Sequence, residues 1–249
     1  MPENIIEVKN LKKTYSPKKN PVHALRGISF EVKKGEIFGI LGVNGAGKST
    51  TLNILIGLLS ASSGSVKIFG RNFLGNETAI KQKMNIATAY ADLANNLTIY
   101  RNLKIYALMY GVANYQEKIL GLMHKFGIFH LRNKWFGDLS AGEKTRVNLC
   151  KGLVNSPELL LLDEPTASLD PSIAAHVRKL LLELQHREKL TILLSSHNMP
   201  EVEQMCDRVA LLHNGEIYRI DTPENLIKFL KVPSMEQVFL KLAEGEFEE

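Results

Sequence analysis

The stretch Gly42-Val43-Asn44-Gly45-Ala46-Gly47-Lys48-Ser49-Thr50 constrains this chain more than any other. It fits the phosphate-binding pattern G-x-x-x-x-G-K-[ST], and each residue type has a physical task there. Gly42, Gly45 and Gly47 let the backbone curl without Cβ clashes, so that consecutive N–H groups converge on phosphate oxygens. Lys48 would set a point charge on the β- and γ-phosphates, and Ser49 would offer its hydroxyl to Mg²⁺. The flanks agree: Glu36–Leu41 reads as a buried strand, and Thr51–Ile56 opens a helix whose N-terminal dipole favours an anion. A dinucleotide-binding loop is excluded, because Thr50 stands where G-x-G-x-x-G needs its last glycine. The implied ligand is a nucleoside triphosphate.

With 249 residues, 45% hydrophobic and 23% charged, the chain can bury a substantial core as one large domain with an inserted subdomain. No apolar run approaches the ~18–20 residues of a membrane helix, and Met1-Pro2-Glu3-Asn4 lacks the regions of a signal peptide. Cys150 and Cys206 have no metal-ligand spacing and read as reduced, buried and inert. The net charge of +5 gathers in the first 34 residues, and the tail reverses sign at Glu244, Glu246, Glu248 and Glu249. Without aromatic-interleaved basic stripes or zinc-finger spacing this reads first as a solvated surface and second as one lying near anionic lipid headgroups, and nucleic acid is not expected as a partner.

Along the chain, Ile5–Val8 and Gly27–Val32 alternate like half-buried antiparallel strands joined by a polar, proline-marked loop over 14–21. Tyr15 on that loop suits either packing against the sheet or stacking on a base; the residues alone leave both open. From about Lys83 to Ser156 the pattern is helical, with Thr98 as one cap, Asn114-Tyr115-Gln116-Glu117 as a capping-box start, and Trp135 and Phe136 as packing anchors. Leu139-Ser140-Ala141-Gly142-Glu143 contains another capping box, and such a helix start, with a hydroxyl and a glycine for close approach, would also bind a phosphate.

Leu159–Leu162 is too short for a stable helix and suits a central parallel strand, so Asp163 and Glu164 emerge at the sheet edge where ligands of open α/β sheets bind. Asp163 would hold Mg²⁺ through water and Glu164 would polarise the attacking water. Asp170 with Pro171 starts a further helix, and Leu190–Ser196 is another buried strand with His197 at its exit. Val209–Tyr218 is a hairpin turning at Asn214-Gly215, and two short helices begin at Thr222 and Ser234.

In this order, Gly42–Thr50, Leu139–Glu143, Asp163-Glu164 and His197 resemble the nucleotide-binding subunit of ABC transporters, over nearly the whole chain. The resemblance implies an α/β fold: a P-loop NTPase (RecA-like) core with an N-terminal antiparallel β subdomain and an inserted α-helical signature subdomain. The expected division is a core of residues 1–84 and 155–220, a helical insert of 85–154 and a C-terminal extension of 221–249. It implies ATP and Mg²⁺, with Tyr15 as the adenine-stacking aromatic, Gly42, Asn44, Gly45, Ala46, Gly47, Lys48, Ser49 and Thr50 as the Walker A loop, and Asp163 of the Walker B strand beside Ser49 at the metal. Glu164 and His197 match the catalytic glutamate and the switch histidine, and Ser168-Leu169-Asp170 matches the D-loop. Leu139–Glu143 is similar to the signature LSGGQ, altered at its third and fifth positions but keeping Ser140 and Gly142, which approach phosphate in that family.

By the same resemblance two subunits pair head-to-tail around two ATP molecules, and a separate integral membrane permease holds them at the cytoplasmic face. Leu97–Leu103 and Ser234–Leu242 are similar to segments of exporter subunits. Near Ala89, where the family has the Q-loop glutamine, this chain has none; Asn85, Tyr90 and Asp92 are the polar groups at hand. The alternatives are a soluble ABC ATPase acting on ribosomes or nucleic acid, which usually has two cassettes or long coiled coils, and a small-molecule kinase, which has no use for Leu139–Glu143.

Overall fold

The computed structural model describes residues 3–16, 20–88 and 93–245. The chain divides into two compact units, Met1–Ile80 with Thr191–Glu249, and Lys81–Leu190. The expectations for Ala89, Tyr90 and Asp92 fall outside the described residues.

The first unit begins with β1 (Asn4–Tyr15), β2 (Val22–Lys33), β3 (Ile37–Leu41), α1 (Lys48–Leu55), β4 (Ser63–Ile68) and β5 (Arg71–Asn72), followed by α2 (Glu77–Gln82). β1 pairs antiparallel with β2 on one side and β4 on the other, giving the sheet order β2-β1-β4-β5. Ile6, Val8, Leu11, Leu25, Ile28, Phe30 and Val32 fill its inner face. Both long strands outrun the expected Ile5–Val8 and Gly27–Val32. The register shifts between Val8 and Leu11, where Asn10 takes φ 47°, so alternation breaks while pairing continues. Tyr15 therefore ends β1 opposite Val22 instead of lying in a loop.

The second unit contains β6 (Met84–Thr88), α3 (Ile99–Met109), α4 (Tyr115–Lys125), α5 (Ala141–Leu153), β7 (Leu159–Asp163) and α6 (Pro171–Glu188). The Leu159–Leu162 run is fully buried in β7, as a strand covered on both faces requires. β6 lies parallel to it, from Met84 opposite Leu159 to Thr88 opposite Asp163. A strand at Met84–Thr88 corrects the helical reading of that stretch; five residues without Gly or Pro punctuation carry too little period to separate the two forms. Asn85 anchors β6 to α5: its amide donates to the Lys151 carbonyl at 3.2 Å and to Asn155 Oδ1 at 2.8 Å. A Cβ on Gly152 would lie 3.1 Å from Ala87 Cβ and 3.2 Å from Leu160 Cδ1, so the glycine lets α5 pack closely on β6 and β7. Thr98 caps α3 as expected, whereas the Asn114 side chain makes no cap bond to α4. Phe136 is fully buried, but Trp135 is half exposed and anchors less than its size suggested.

The chain returns to the first unit through β8 (Thr191–Ser195), α7 (Met199–Met205), β9 (Arg208–His213), β10 (Glu216–Asp221), α8 (Pro223–Phe229) and α9 (Met235–Glu244). β3, with all five residues buried, runs parallel between β8 and β9, and β10 closes the hairpin on β9. Cys150 and Cys206 are both buried, which pushes their thiols well above the usual range and keeps them unreactive.

Two carboxylates secure the entry to β3. Asp207 accepts from the Ile37 N–H at 2.8 Å. Glu36, 7% exposed, takes Arg208 Nε at 2.6 Å and Nη2 at 3.1 Å, and its Oε2 also accepts from the Lys33 N–H. These hydrogen bonds hold the guanidinium above its ordinary pKa. Arg208→Ala is expected to lower stability by roughly 3 kcal/mol, because it leaves Glu36 buried without its counter-charge. Urea unfolding should show a lower midpoint at unchanged slope. A loss below about 1 kcal/mol would mean that water can replace the guanidinium.

Candidate functional site

In the first unit the glycine loop leaves the C-terminal end of β3 and feeds α1, with Gly47 as N-cap at φ 112°. A Cβ on Gly42 would overlap the Leu212 carbonyl oxygen and sit 3.0 Å from Ala46 Cβ. One on Gly47 would come within 2.7 Å of the Ala24 carbonyl oxygen and of Leu25 Cδ2. The loop therefore admits only glycine at both ends. At its apex Asn44 and Gly45 are exposed, while Ala46 is buried and its carbonyl accepts from the Gly215 N–H at 3.0 Å. Gly215 in turn accepts from the Arg26 N–H at 2.8 Å. The Asn214-Gly215 turn, read in sequence as a hairpin alone, is thus a brace for the glycine loop.

Lys48 is buried, and its ammonium donates to the Gly42 carbonyl at 2.6 Å and the Val43 carbonyl at 3.2 Å, folded over the loop it follows. Ser49 is exposed, and the Thr50 hydroxyl lies 3.3 Å from the Tyr15 hydroxyl. Tyr15 is 39% exposed, with Lys13 Nζ 5.3 Å from its ring centroid. The ring thus has an open face at the start of α1. Ile40 of β3 is in register with Ser195 of β8, so His197, exposed just beyond Ser195, leaves the same sheet edge as the glycine loop. A cavity of about 600 Å³ in this unit is lined by the other end of α1 and the 59–66 segment, away from the glycine loop.

In the second unit Asp163 ends β7, and Glu164 follows in the left-handed region at φ 52°, a conformation that costs a non-glycine residue free energy and turns the chain sharply off the strand. Ala167 N–H returns to the Glu164 carbonyl and Leu169 N–H to that of Thr166. Asp170 then caps α6, accepting from the Ile173 N–H at 3.1 Å and from Ser172 Oγ at 2.8 Å, which lowers its pKa. Ser140 and Glu143 form a full capping box on α5: the Glu143 carboxylate accepts from the Ser140 N–H at 2.8 Å, and Ser140 Oγ from the Glu143 N–H at 3.3 Å. A Cβ on Gly142 would lie 3.1 Å from the Ser168 carbonyl oxygen. The start of α5 and the 168–170 turn are therefore packed together, with Ser140 exposed at the helix end.

The parts suit a magnesium nucleotide. The glycine loop is curled and open, with one ammonium and one exposed hydroxyl. Among the described residues no group of three His, Cys, Asp or Glu forms a ready metal cage. Ser49, exposed in the first turn of α1, offers a hydroxyl oxygen of the kind Mg²⁺ takes, and that ion needs only one or two protein ligands beside water and phosphate oxygens. Asn85, the one described polar candidate for the missing glutamine, has its amide committed to Lys151 and Asn155 and its Oδ1 to the Ile86 N–H.

Glu143 gives the site a pH signature. The backbone N–H of Ser140 holds its carboxyl below the usual carboxylate range, with Lys134 assisting. A depressed folded pKa contributes stability above the unfolded value, and that stability is lost as pH falls through the folded one. Wild type should therefore melt above Glu143→Gln at neutral pH, and the gap should close as the pH drops below about 4. A gap constant from pH 7 to 3 would remove the charge from the cap.

Residues 25–167 match the family described as "ABC transporter". A shorter match, residues 139–202, is to "AAA domain, putative AbiEii toxin, Type IV TA system". The chain is 37% identical over 215 residues to the bacitracin transport ATP-binding protein BcrA of Bacillus licheniformis, covering 86% of this chain and 68% of that one. It is 36% identical over 225 residues to the linearmycin resistance ATP-binding protein LnrL of Bacillus subtilis (strain 168), covering 89% and 70%. It is 34% identical to the methionine import ATP-binding protein MetN of Bordetella pertussis, covering 87% of this chain and 61% of that one. Among solved structures it superposes on one described as an ATP binding subunit of an ABC transporter, with TM-score 0.85 and 26% identity over 96% and 99% of the two chains. A dimeric bacterial ABC transporter cassette, MJ0796, follows at TM-score 0.80 and 25% identity over 87% and 98%. The chain belongs to the ABC transporter family as an ATP-binding cassette, an ATPase of the P-loop fold.

Proposed function

We propose that this ATPase powers an exporter, working as one of two head-to-tail subunits on a separate membrane permease. The observation that carries the reading is the exposed, boxed start of α5 packed on the 168–170 turn, in a chain that also has an open glycine loop. A helix start whose N–H groups and hydroxyl face outward is suited to a phosphate held by a second molecule. In this reading the Gly42–Thr50 loop and Lys48 hold the triphosphate, Tyr15 stacks on the base, and Ser49 with Asp163 holds Mg²⁺. When bound, Mg²⁺ neutralises charge on the β- and γ-phosphates. Glu164 accepts a proton from the attacking water, His197 contacts the γ-phosphate, and Ser140, Gly142 and Asp170 complete the partner's site. ATP bridging two surfaces favours the closed pair, and loss of the γ-phosphate reopens it.

Export is supported by the Leu97–Leu103 and Ser234–Leu242 segments and by the names of two relatives, which concern bacitracin transport and linearmycin resistance. A relative named for methionine import is 34% identical, so the export reading rests on those segments and those two names. No helix among the described residues is long and apolar enough to cross a membrane, so the proposal gives the pore to another chain and seats this one on its cytoplasmic side. Asn85 being committed elsewhere, the 89–92 segment is assigned to coupling with the permease, with the metal left to Asp163 and Ser49.

Glu164→Gln should bind ATP, lose about 10²–10⁴-fold in turnover, and accumulate as an ATP-bound dimer on size exclusion. Near-normal phosphate release would remove Glu164 from its role. For the head-to-tail pair, Ser140→Arg and Lys48→Ala are each expected to be inactive, but mixing them leaves one complete composite site per mixed dimer. Recovery of part of the ATPase on mixing supports the arrangement, and none at any ratio counts against it. Co-purification with ribosomes in place of a membrane protein would favour a soluble ABC ATPase.

A further inference from the structure

Beyond the glycine loop and the carboxylates, the first unit contains a buried carboxylate that none of the proposed roles uses. Glu201, in the first turn of α7, is fully buried. Its Oε2 accepts from Ser196 Oγ at 2.6 Å, a length typical of a hydroxyl donating to a carboxylate. Ser196, 1% exposed, uses the same oxygen to accept the Asn198 N–H at 3.0 Å. The Asn198 side chain then caps α7, taking the Glu201 N–H at 3.3 Å, and its carbonyl accepts from the Glu201 and Val202 N–H groups. The residue enclosed by this loop of bonds is His197, and it is exposed.

The geometry is specific about what the bonds constrain. A serine oxygen bonded to the N–H two residues on spans the intervening residue and fixes the peptide planes on both sides of it. Here those planes flank His197, so its φ and ψ, and with them the direction of its Cα–Cβ bond, are set by Ser196. A serine hydroxyl turns freely unless its proton has a partner. Glu201 supplies that partner and leaves a lone pair aimed at Asn198. Burying a carboxylate is costly, and a cap on a seven-residue helix needs none, since Asn198 already provides one.

We infer that Ser196 and Glu201 are positioning residues for His197, a buried clamp that fixes the backbone on both sides of it and so aims its Cα–Cβ bond toward the transferred phosphate. The inference rests on the assignment of His197 to the γ-phosphate. Glu201→Gln keeps an acceptor oxygen for Ser196, whereas Ser196→Ala removes the bridge to both Asn198 and Glu201.

The test combines steady-state ATPase kinetics with NMR of the His197 backbone, assigned by the change in its signals in His197→Ala. Ser196→Ala should lower kcat about 10–100-fold, the scale of a displaced catalytic group, with KM for ATP within about twofold, as for an interaction made in the transition state alone. The His197 backbone couplings and Cα and Cβ shifts should change from one φ/ψ conformation to an average. Glu201→Gln should stay within a few-fold of wild type. Ser196→Ala should cost nothing further in a His197→Ala background, where a general structural defect would still add. If Ser196→Ala folds too poorly to assay, Ser196→Cys, with its weak S–H donor, is read in its place. Wild-type kcat, an unchanged His197 backbone conformation, or additive losses in the double variant would each overturn the clamp. If His197→Ala itself retains full turnover, the phosphate-contact assignment fails instead, and the His197 backbone conformation alone then decides whether the clamp exists.

Discussion

The structure depends on a few residues of backbone held in a curve that only glycine permits. Between the buried strand β3 and the helix α1 the chain must reverse, and at both ends of the turn there is no space for a side chain. The Leu212 carbonyl lies against Gly42, and the Ala24 carbonyl and Leu25 lie against Gly47. Those neighbours belong to the hairpin strand β9 and to β2, so two otherwise separate pieces of sheet form the mould for one loop. The hydrogen bonds from Gly215 to Ala46 and from Arg26 to Gly215 close it. An anion site made of main-chain donors can be no more rigid than the walls behind it.

Much of this was legible in the sequence, because the informative residues have single physical uses. Gly42–Thr50 has no bland alternative of equal economy, Leu159–Leu162 is too apolar and too short for anything but a covered strand, and Ser140 with Glu143 announces a capped helix. The failures share one cause, the dependence of short elements on their neighbours. Met84–Thr88 becomes a strand because β7 offers an open partner, and nothing within five residues encodes that. β1 runs on past Val8 because a bulge at Asn10 absorbs the lost alternation. Ser196 and Glu201 carry no motif at all. Their relation is visible only once α7 folds back and buries both.

In the proposed reading the start of α5 is a stability device and a binding device in one object. A capping box satisfies N–H groups that would otherwise be orphaned, and Ser140 and Glu143 do so here. It uses only part of the helix's donor set, however, and it leaves the serine at the surface. The substitution of alanine and glutamate into the usual signature keeps both properties, since the box accepts Glu as readily as Gln.

The attachment of β6 to α5 has a mechanical corollary. Asn85 grips the Lys151 carbonyl and Asn155 at the C-terminal end of the helix, and Gly152 sits closely against the Ala87 methyl. The opposite end of the same thirteen-residue helix carries Ser140. A rod of that length spans roughly 20 Å at 1.5 Å per residue, so a tilt of about 5° at the gripped end sweeps the far tip through nearly 2 Å. That is more than the tolerance of a hydrogen bond. A small torque on the strand, whatever its origin, is thus converted at the tip into contact made or contact broken.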